Sequence, residues 1–141
     1  MNNQTPKLPR AKHGMQRIRE ERERQIKAEG WSAAHDDEHE ECELQRAGKC
    51  YELMGDFIVE RKPFLKEVTN TWPWDVKWWK PSTSAERNYE KAGALYQAEA
   101  DRFSRAGKQV QAMKMEVSVE RVAAKLDRPT GTAAPEGGGR K

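Results

Sequence analysis

Residues 82–104 have the sequence STSAERNYEKAGALYQAEADRFS, which predicts a helix and the way that it packs. Ser82, Thr83 and Ser84 are all residues that cap helices, and Thr83 with Glu86 matches the Ser/Thr-x-x-Glu capping-box pattern. Apolar or small side chains then recur on one helical stripe: Tyr89, Ala92, Gly93, Tyr96, Ala100 and Phe103. Because small residues lie near the start of this stripe, we expect tight packing against the preceding helix.

Three further segments show the helical spacing of apolar residues. The first covers residues 14–29 and stops at Gly30, a residue type that commonly ends helices. The second runs from about residue 38 to residue 54, and Gly48 lets another helix approach its apolar face closely. The last spans about residues 108–126. It either completes a helical bundle or mediates self-association into a homo-oligomer.

The segment between the second and third helices predicts irregular structure. Pro63, Pro73 and Pro81 interrupt regular helix over residues 55–83. The predicted fold class is therefore mainly α: a small helical domain of three to four helices with a long Trp/Pro-rich loop between the second and third helices. Loops of this length inside compact domains are usually functional.

Composition and charge set the outer bounds. We expect a single domain over residues 13–127, a disordered basic arm at 1–12 and a disordered tail at 128–141. The 26 basic and 23 acidic residues are interspersed, and a net charge of +3 argues against nucleic acid as the main partner. No stretch approaches the roughly 20 apolar residues of a membrane span, so we expect no membrane partner and a cytoplasmic location.

Tryptophan is concentrated in one segment. Four of the five tryptophans lie in Trp72-Pro-Trp74-Asp-Val-Lys-Trp78-Trp79. Clustered loop tryptophans suit stacking on a planar ligand such as a nucleobase, because each offers a large rigid π-face and one N–H donor. The alternative is that Trp72 and Trp78 fasten the long loop to the helices. The pattern leaves both interpretations open.

A second polar cluster follows Gly30 and Trp31. His35, Asp36, Asp37 and His39 allow three interpretations. An aspartate caps the second helix, with the following glutamates favouring the positive end of its dipole. Alternatively, His35 and His39 share a helical face and ligate a metal ion. In the third interpretation, which is compatible with capping, His35 and an aspartate hydrogen-bond the polar edge of a bound ligand.

Two acidic series raise the question of catalysis. Glu20, Glu21 and Glu23 precede Glu40, Glu41 and Glu43, and such series invite comparison with the ExxE pairs that hold magnesium in all-α nucleotide pyrophosphohydrolases. Arginines interleave with the first series, which favours an ion-paired solvated face instead. The sequence contains no P-loop, nucleophile elbow, Rossmann glycine pattern or HExxH motif. A non-catalytic protein without a cofactor is therefore the preferred interpretation.

The order of these motifs resembles a known domain. The segment IREERERQIKAEGW at residues 18–31, then His35-Asp-Asp-x-His39, Trp79-Lys-Pro81 and Glu86-Arg-Asn-Tyr89, is similar to the ryanodine-receptor repeat domain. The chain also resembles a family of bacterial, phage and prophage proteins that share the Gly-Trp, His-Asp-Asp-x-His, Trp-Pro-Trp and Trp-Trp-Lys-Pro signatures. This likeness covers about residues 15–104, and the second family brings no assigned activity.

The first resemblance implies binding of an adenine nucleotide or a nucleotide-derived signal. By motif, Trp31, Asp36, Asp37 and Tyr89 border the implied pocket. The chain departs from that domain by inserting the loop that carries Trp72, Trp74 and Trp78. A phage source would imply sensing or sequestration of a signal in the host cytoplasm.

The sequence thus favours a non-catalytic module that binds a nucleotide-like small molecule. Trp31 or Trp79 would stack on the base, while His35 and Asp37 would bind its polar edge. The phosphates would contact Lys77, Lys80 or Arg87. One alternative is a metal-dependent nucleotide hydrolase using His35, Asp36, His39 and glutamates. Another is a phage or prophage interaction protein that binds protein or single-stranded nucleic acid.

Overall fold

The computed structural model describes residues 13–61, 68 and 70–128. Within these residues the chain is helical and contains no strand, which confirms the mainly α class. The main helices are α1 (Gly14–Glu29), α2 (Ala33–Asp37), α3 (Glu43–Glu60), α4 (Ala85–Arg105) and α5 (Gln109–Leu126). A 3-10 turn spans Val76–Trp78. The predicted arm at 1–12, and the predicted tail beyond residue 128, lie outside the described residues. Within the described part, no helix combines the length and the apolar character needed to cross a bilayer.

Helix α1 has the predicted bounds. Gly30 ends it in the left-handed conformation, with φ of +73°, and its backbone N–H donates to the carbonyl of Gln25. Ile18 is buried where α1 crosses α4. A Cβ built on Gly93 of α4 would lie 2.4 Å from Ile18 Cδ1, so this crossing requires a glycine.

The prediction of one helix from about residue 38 to residue 54 is wrong. The structure has two helices in this region. The short α2 ends at Asp37, and α3 begins only at Glu43. Cys42, the residue before α3, has a left-handed φ of +65°. The prediction that an aspartate caps this helix is also wrong, because Asp36 and Asp37 lie inside α2 and the N-cap of α3 is Cys42, which makes no side-chain cap hydrogen bond. Ser32 caps α2 instead, its hydroxyl accepting the backbone N–H of His35.

The irregular segment is shorter than the one that the sequence predicts, residues 55–83. Helix α3 continues to Glu60, and Val68, Asn70 and Thr71 are also helical. Pro63 lies outside the described residues. Residues 72–80, here called the aromatic strap, remain irregular apart from the 3-10 turn.

Side chains from α3 hold both ends of the aromatic strap. Arg46 Nε donates to the carbonyl of Thr71 at 3.2 Å, and Tyr51 Oη accepts the backbone N–H of Lys80 at 3.2 Å. Within the strap, Asp75 accepts the backbone N–H of Lys77, which closes the 3-10 turn. The strap is therefore fixed against α3 at its start and at its end.

Helix α4 is the central helix of the bundle. Ser84, one of the three capping candidates, accepts the backbone N–H of Arg87, and the helix runs to Arg105 as the sequence indicates. It packs on α1, α3 and α5, which places its small and aromatic residues at three interfaces. Its fully or nearly fully buried apolar residues are Tyr89, Ala92, Ala94, Leu95, Tyr96, Ala98, Ala100 and Phe103.

Helix α5 completes the bundle, one of the two roles left open for it. Its buried residues, which face α4 and α1, are Ala112, Met115, Val119, Val122, Ala123 and Leu126. Val110, Met113 and Val117 are exposed on its other side. Self-association through this helix stays a prediction.

A candidate ligand-binding cavity

A cavity of about 430 Å³ lies between α1, α2, α3, α4 and the aromatic strap. Its volume falls within the usual range for small-molecule sites, about 300–1,000 Å³. Its aromatic lining consists of Trp31, His35, His39, Tyr51, Trp72, Trp74 and Trp78. Its polar lining consists of Glu21, Arg24, Gln25, Glu29, Asp75, Lys80 and Lys91. The cavity thus combines stacking surfaces with groups of both charges.

The aromatic rings form a continuous series. Trp31 stacks on His35 with an interplanar angle of 8° and ring centroids 5.9 Å apart. His35 meets His39 edge to face at 5.0 Å, and His39 lies 5.2 Å from Trp74 in the strap. This last contact joins the His/Asp-rich segment to the tryptophan-rich segment. The two sequence-distant segments therefore share one surface.

The series continues through the strap to α3. Trp74 lies edge to face with Trp72, which in turn contacts Trp79 with ring centroids 5.0 Å apart. Tyr51 lies 4.7 Å from Trp79, between the strap and α3. Trp72, Trp74 and Trp79 are partly buried against the core, while Trp78 is 57% exposed. Trp72 and Trp74 thus both fasten the strap to the core and line the cavity. Trp79 fastens the strap without lining the cavity, whereas the exposed Trp78 lines the cavity.

The acidic and amide groups of α1 form the polar wall of the cavity. Glu21 is almost fully buried and accepts hydrogen bonds from Arg24 and Arg87. Burial alone would raise the pKa of Glu21, but the bonds from Arg24 and Arg87 outweigh it and lower the pKa below its usual value. Arg24 also pairs with Glu29. Glu21 therefore stays ionised, and both carboxylates of this wall are already paired with arginine.

The lysines of the cavity lack such pairing. Lys91 Nζ donates to the backbone carbonyl of Lys80 at 2.8 Å and lies 5.4 Å from the centre of the Tyr51 ring. In the described part of the chain, no carboxylate lies within ion-pair distance of Lys80 or Lys91. Burial, assisted by the nearby charge of Arg87, lowers the pKa of Lys91. Glu21 and Glu29 act on this charge only from beyond ion-pair distance. A half-buried cation without a directly paired carboxylate favours an anionic ligand group.

Three of the eight predicted ligand-binding residues line the cavity: Trp31, His35 and Lys80. Trp79 and Arg87 lie one layer behind it. Trp79 supports the lining residues Tyr51 and Trp72, and Arg87 binds the lining residue Glu21.

The other three predicted residues lie away from the cavity: Asp36, Asp37 and Tyr89. Each is held by an ion pair or a hydrogen bond to a residue distant in sequence. Asp36 is fully buried against Arg22, and Asp37 pairs with Arg105 at the end of α4. Tyr89 packs against Gly55 of α3, and its hydroxyl donates to Asp56. None of the three is among the residues that line the cavity.

The sequence interpretation missed most of the polar lining. Glu21, Gln25 and Glu29 recur at i, i+4 and i+8 on α1, directly before Gly30 and Trp31. That spacing places all three on one helix face and could have indicated a shared surface. Lys91 gave no signal, because its position in the cavity depends on the approach of the strap to α4.

The two histidines of the proposed metal site are ring neighbours. Nevertheless, among residues 13–61, 68 and 70–128, no three His, Cys, Asp or Glu side chains form a group suited to hold a metal ion. His35 Nδ1 lies 3.3 Å from Asp36 Oδ1, and His39 Nδ1 lies 3.8 Å from Glu43.

Comparison with known proteins identifies no relative of this chain. No family model, no curated protein and no solved structure matches the chain.

Proposed function

We propose that this protein binds a nucleotide or a nucleotide-derived small molecule in the cavity, without catalysing a reaction. One observation carries the proposal. Four tryptophans, two histidines and two lysines that form no ion pair with a described carboxylate all line the same cavity. A planar base fits the aromatic faces, since stacking contributes about 1–3 kcal/mol per base. A phosphate fits Lys80 and Lys91, because an ionised acceptor forms the stronger, charge-assisted hydrogen bond.

Intrinsic tryptophan fluorescence tests the proposal directly, because four of the five tryptophans line the cavity. Titration with ATP, NAD, ADP-ribose and cyclic dinucleotides should give a saturable change for at least one of them. A flat response across the panel would contradict the proposal.

Lys91→Met tests the phosphate part of the proposal. It should weaken binding of a nucleoside monophosphate by about tenfold or more, while leaving binding of the matching nucleoside unchanged. Lys114→Met, at an exposed position on α5, is the matched control. Equal losses for nucleoside and monophosphate would show that Lys91 supports the cavity rather than the phosphate.

A second candidate function is binding of single-stranded nucleic acid. One observation favours it: Trp78 is 57% exposed, with Lys77 Nζ and Lys80 Nζ 5.4 Å and 5.9 Å from its ring centre. An exposed ring flanked by lysines suits an unstacked base and its phosphates. This candidate requires affinity for an oligonucleotide that falls steeply with salt and is lost in Trp78→Ala.

The cellular role that we propose rests on the resemblance of the sequence to the ryanodine-receptor repeat domain and to bacterial, phage and prophage proteins. Sensing or sequestration of a signalling nucleotide in the cytoplasm would use a high-affinity site without turnover.

Self-association is a separate prediction that would use the exposed Val110, Met113 and Val117. Sedimentation equilibrium over a range of concentrations tests it, and a monomer throughout would contradict it.

A further inference from the structure

Gln25 has a buried carbonyl oxygen with no hydrogen-bond partner. The residue lines the cavity and is 2% exposed, yet its side-chain oxygen Oε1 accepts no hydrogen bond. A buried acceptor left in this state costs about 1–3 kcal/mol. In the described residues, the other buried side-chain atoms without a partner belong to Arg22 and Glu99, and neither residue lines the cavity.

The orientation of the Gln25 amide is fixed by its neighbours. Nε2 of Gln25 donates to Glu21 Oε2 at 3.2 Å. Glu21 is itself held by Arg24 and Arg87, so it acts only as an acceptor. Rotating the amide by 180° would place Oε1 against this carboxylate, where two acceptors repel. The amide therefore keeps Nε2 on Glu21 and leaves Oε1 as the free acceptor.

Gln25 also lies beside a stacking surface. The backbone N–H of Trp31 donates to the backbone carbonyl of Gln25 at 3.2 Å, and both residues line the cavity. The indole of Trp31 is fixed by its stacking on His35. The wall of the cavity thus contains both an aromatic ring, from Trp31, and a buried acceptor of fixed orientation, from Gln25. These are the two kinds of group that bind the face of a planar heterocycle and an N–H donor on its edge.

We propose that Gln25 Oε1 accepts a hydrogen bond from an exocyclic amino group of the bound base, so that the cavity selects amino-bearing heterocycles. This inference rests on the proposed function, since it assigns the base specificity of the same cavity. Glu21 is the positioning residue: it holds the amide and does not itself contact the base. An analogue without the amino group leaves Oε1 buried and unpaired, which is how a hydrogen-bonding site discriminates.

Calorimetric titration with three pairs of nucleotides tests this selection, because the members of each pair differ by one amino group. The pairs are AMP with purine riboside 5′-monophosphate, GMP with IMP, and CMP with the monophosphate of pyrimidin-2-one riboside. For the base that fits, we expect loss of the amino group to weaken binding by the wild-type protein by about 10- to 100-fold. Gln25→Met has a similar length and no acceptor of this kind, and should bring the ratio within the pair close to one.

Gln97→Met is the matched control. Gln97 also donates its amide to an acid four residues away, Asp101, but it does not line the cavity. This variant should keep the wild-type preference. If Gln25→Met does not fold, the affinity ratios of the wild-type protein still test whether the cavity selects amino-bearing bases.

The outcomes separate the two proposals. If none of these six nucleotides and none of the ligands in the fluorescence panel binds, the proposed function fails and this inference fails with it. Binding without preference within any pair overturns the inference alone. A preference that persists in folded Gln25→Met shows that another group selects the amino-bearing base, which also overturns the assignment to Gln25.

Discussion

Glu52 accepts hydrogen bonds from three side chains: Tyr96, Arg121 and Lys125. Burial alone would raise the pKa of Glu52, but these bonds outweigh it and bring the pKa down to about 2. The carboxylate thus joins α3 to both α4 and α5 in its ionised form. The cost of burying this charge is offset because three side chains donate hydrogen bonds to the same carboxylate.

Stability should fall with acid through this group. Because the pKa of Glu52 is about 2 in the folded state and 4.5 ordinarily, its contribution is complete above about pH 4.5 and is lost as pH falls towards 2. Glu52→Gln should lower the free energy of unfolding at pH 7 by about 2 kcal/mol and flatten its decline between pH 5 and pH 2. Urea unfolding across this pH range measures both effects.

The matched control for Glu52 is Glu116→Gln, at an exposed position on α5. It should follow the wild-type pH profile at nearly unchanged stability. An equally steep acid decline in Glu52→Gln would mean that the other ionised acids, Glu21 and Asp37, account for the whole effect.

At the scale of elements, α3 and α4 meet through paired glycines and tyrosines. A Cβ built on Gly48 would lie 2.9 Å from Tyr96 Cε1, and one on Gly55 would lie 2.5 Å from Tyr89 Cε1. The two glycines are seven residues apart, as are the two tyrosines. Two turns of each helix therefore share one packing pattern, which explains how α4 approaches α3 closely.

Gly55→Ala separates packing from helix propensity. Alanine favours an isolated helix over glycine by about 1 kcal/mol, but here its methyl group would collide with the Tyr89 ring. We expect a net loss of about 1–3 kcal/mol in the free energy of unfolding. Thermal and urea unfolding measure this loss.

Ala124→Gly, at an exposed position on α5, calibrates the propensity contribution alone and should cost about 1 kcal/mol. A neutral or stabilising Gly55→Ala would show that Tyr89 moves without cost. That result would contradict the packing pattern proposed for the two helices.

At the scale of the whole molecule, the cavity joins parts of the chain that are far apart in sequence. α1, α2, α3, α4 and the strap all contribute lining residues, whereas α5 contributes none. A ligand in this cavity contacts the strap and the helices at once. It should therefore suppress local opening of the strap more than fraying of α5.

Hydrogen exchange in the presence of the nucleotide that binds should show this difference. At about 100 times Kd, a ligand stabilises the protein that it binds by up to about 2.7 kcal/mol. We expect strong slowing of exchange in residues 72–80 and in residues 24–31, and little change in the first turn of α5. Uniform slowing over the chain, or none in the strap, would contradict a ligand site between the strap and α1.

Much of the helical architecture could be predicted from the sequence. The bounds of α1, α4 and α5 follow from apolar spacing, from Gly30 and from the serine caps, because helix formation depends on neighbours three to four residues away. The break between α2 and α3 could not, since the residues on both sides are acceptable in a helix. There, Cys42 adopts a left-handed conformation, which is uncommon outside glycine.

The amino-acid pattern is thus enough to predict a mainly α chain with a tryptophan-rich segment before its central helix. The surroundings of the polar residues, in contrast, depend on tertiary packing. Asp36 and Asp37 are held by Arg22 and Arg105, which are 14 and 68 residues away. Gln25 becomes a buried acceptor in the wall of the cavity. Helical periodicity is a local property of the backbone, whereas ion-pair choice and burial depend on which distant segments pack together.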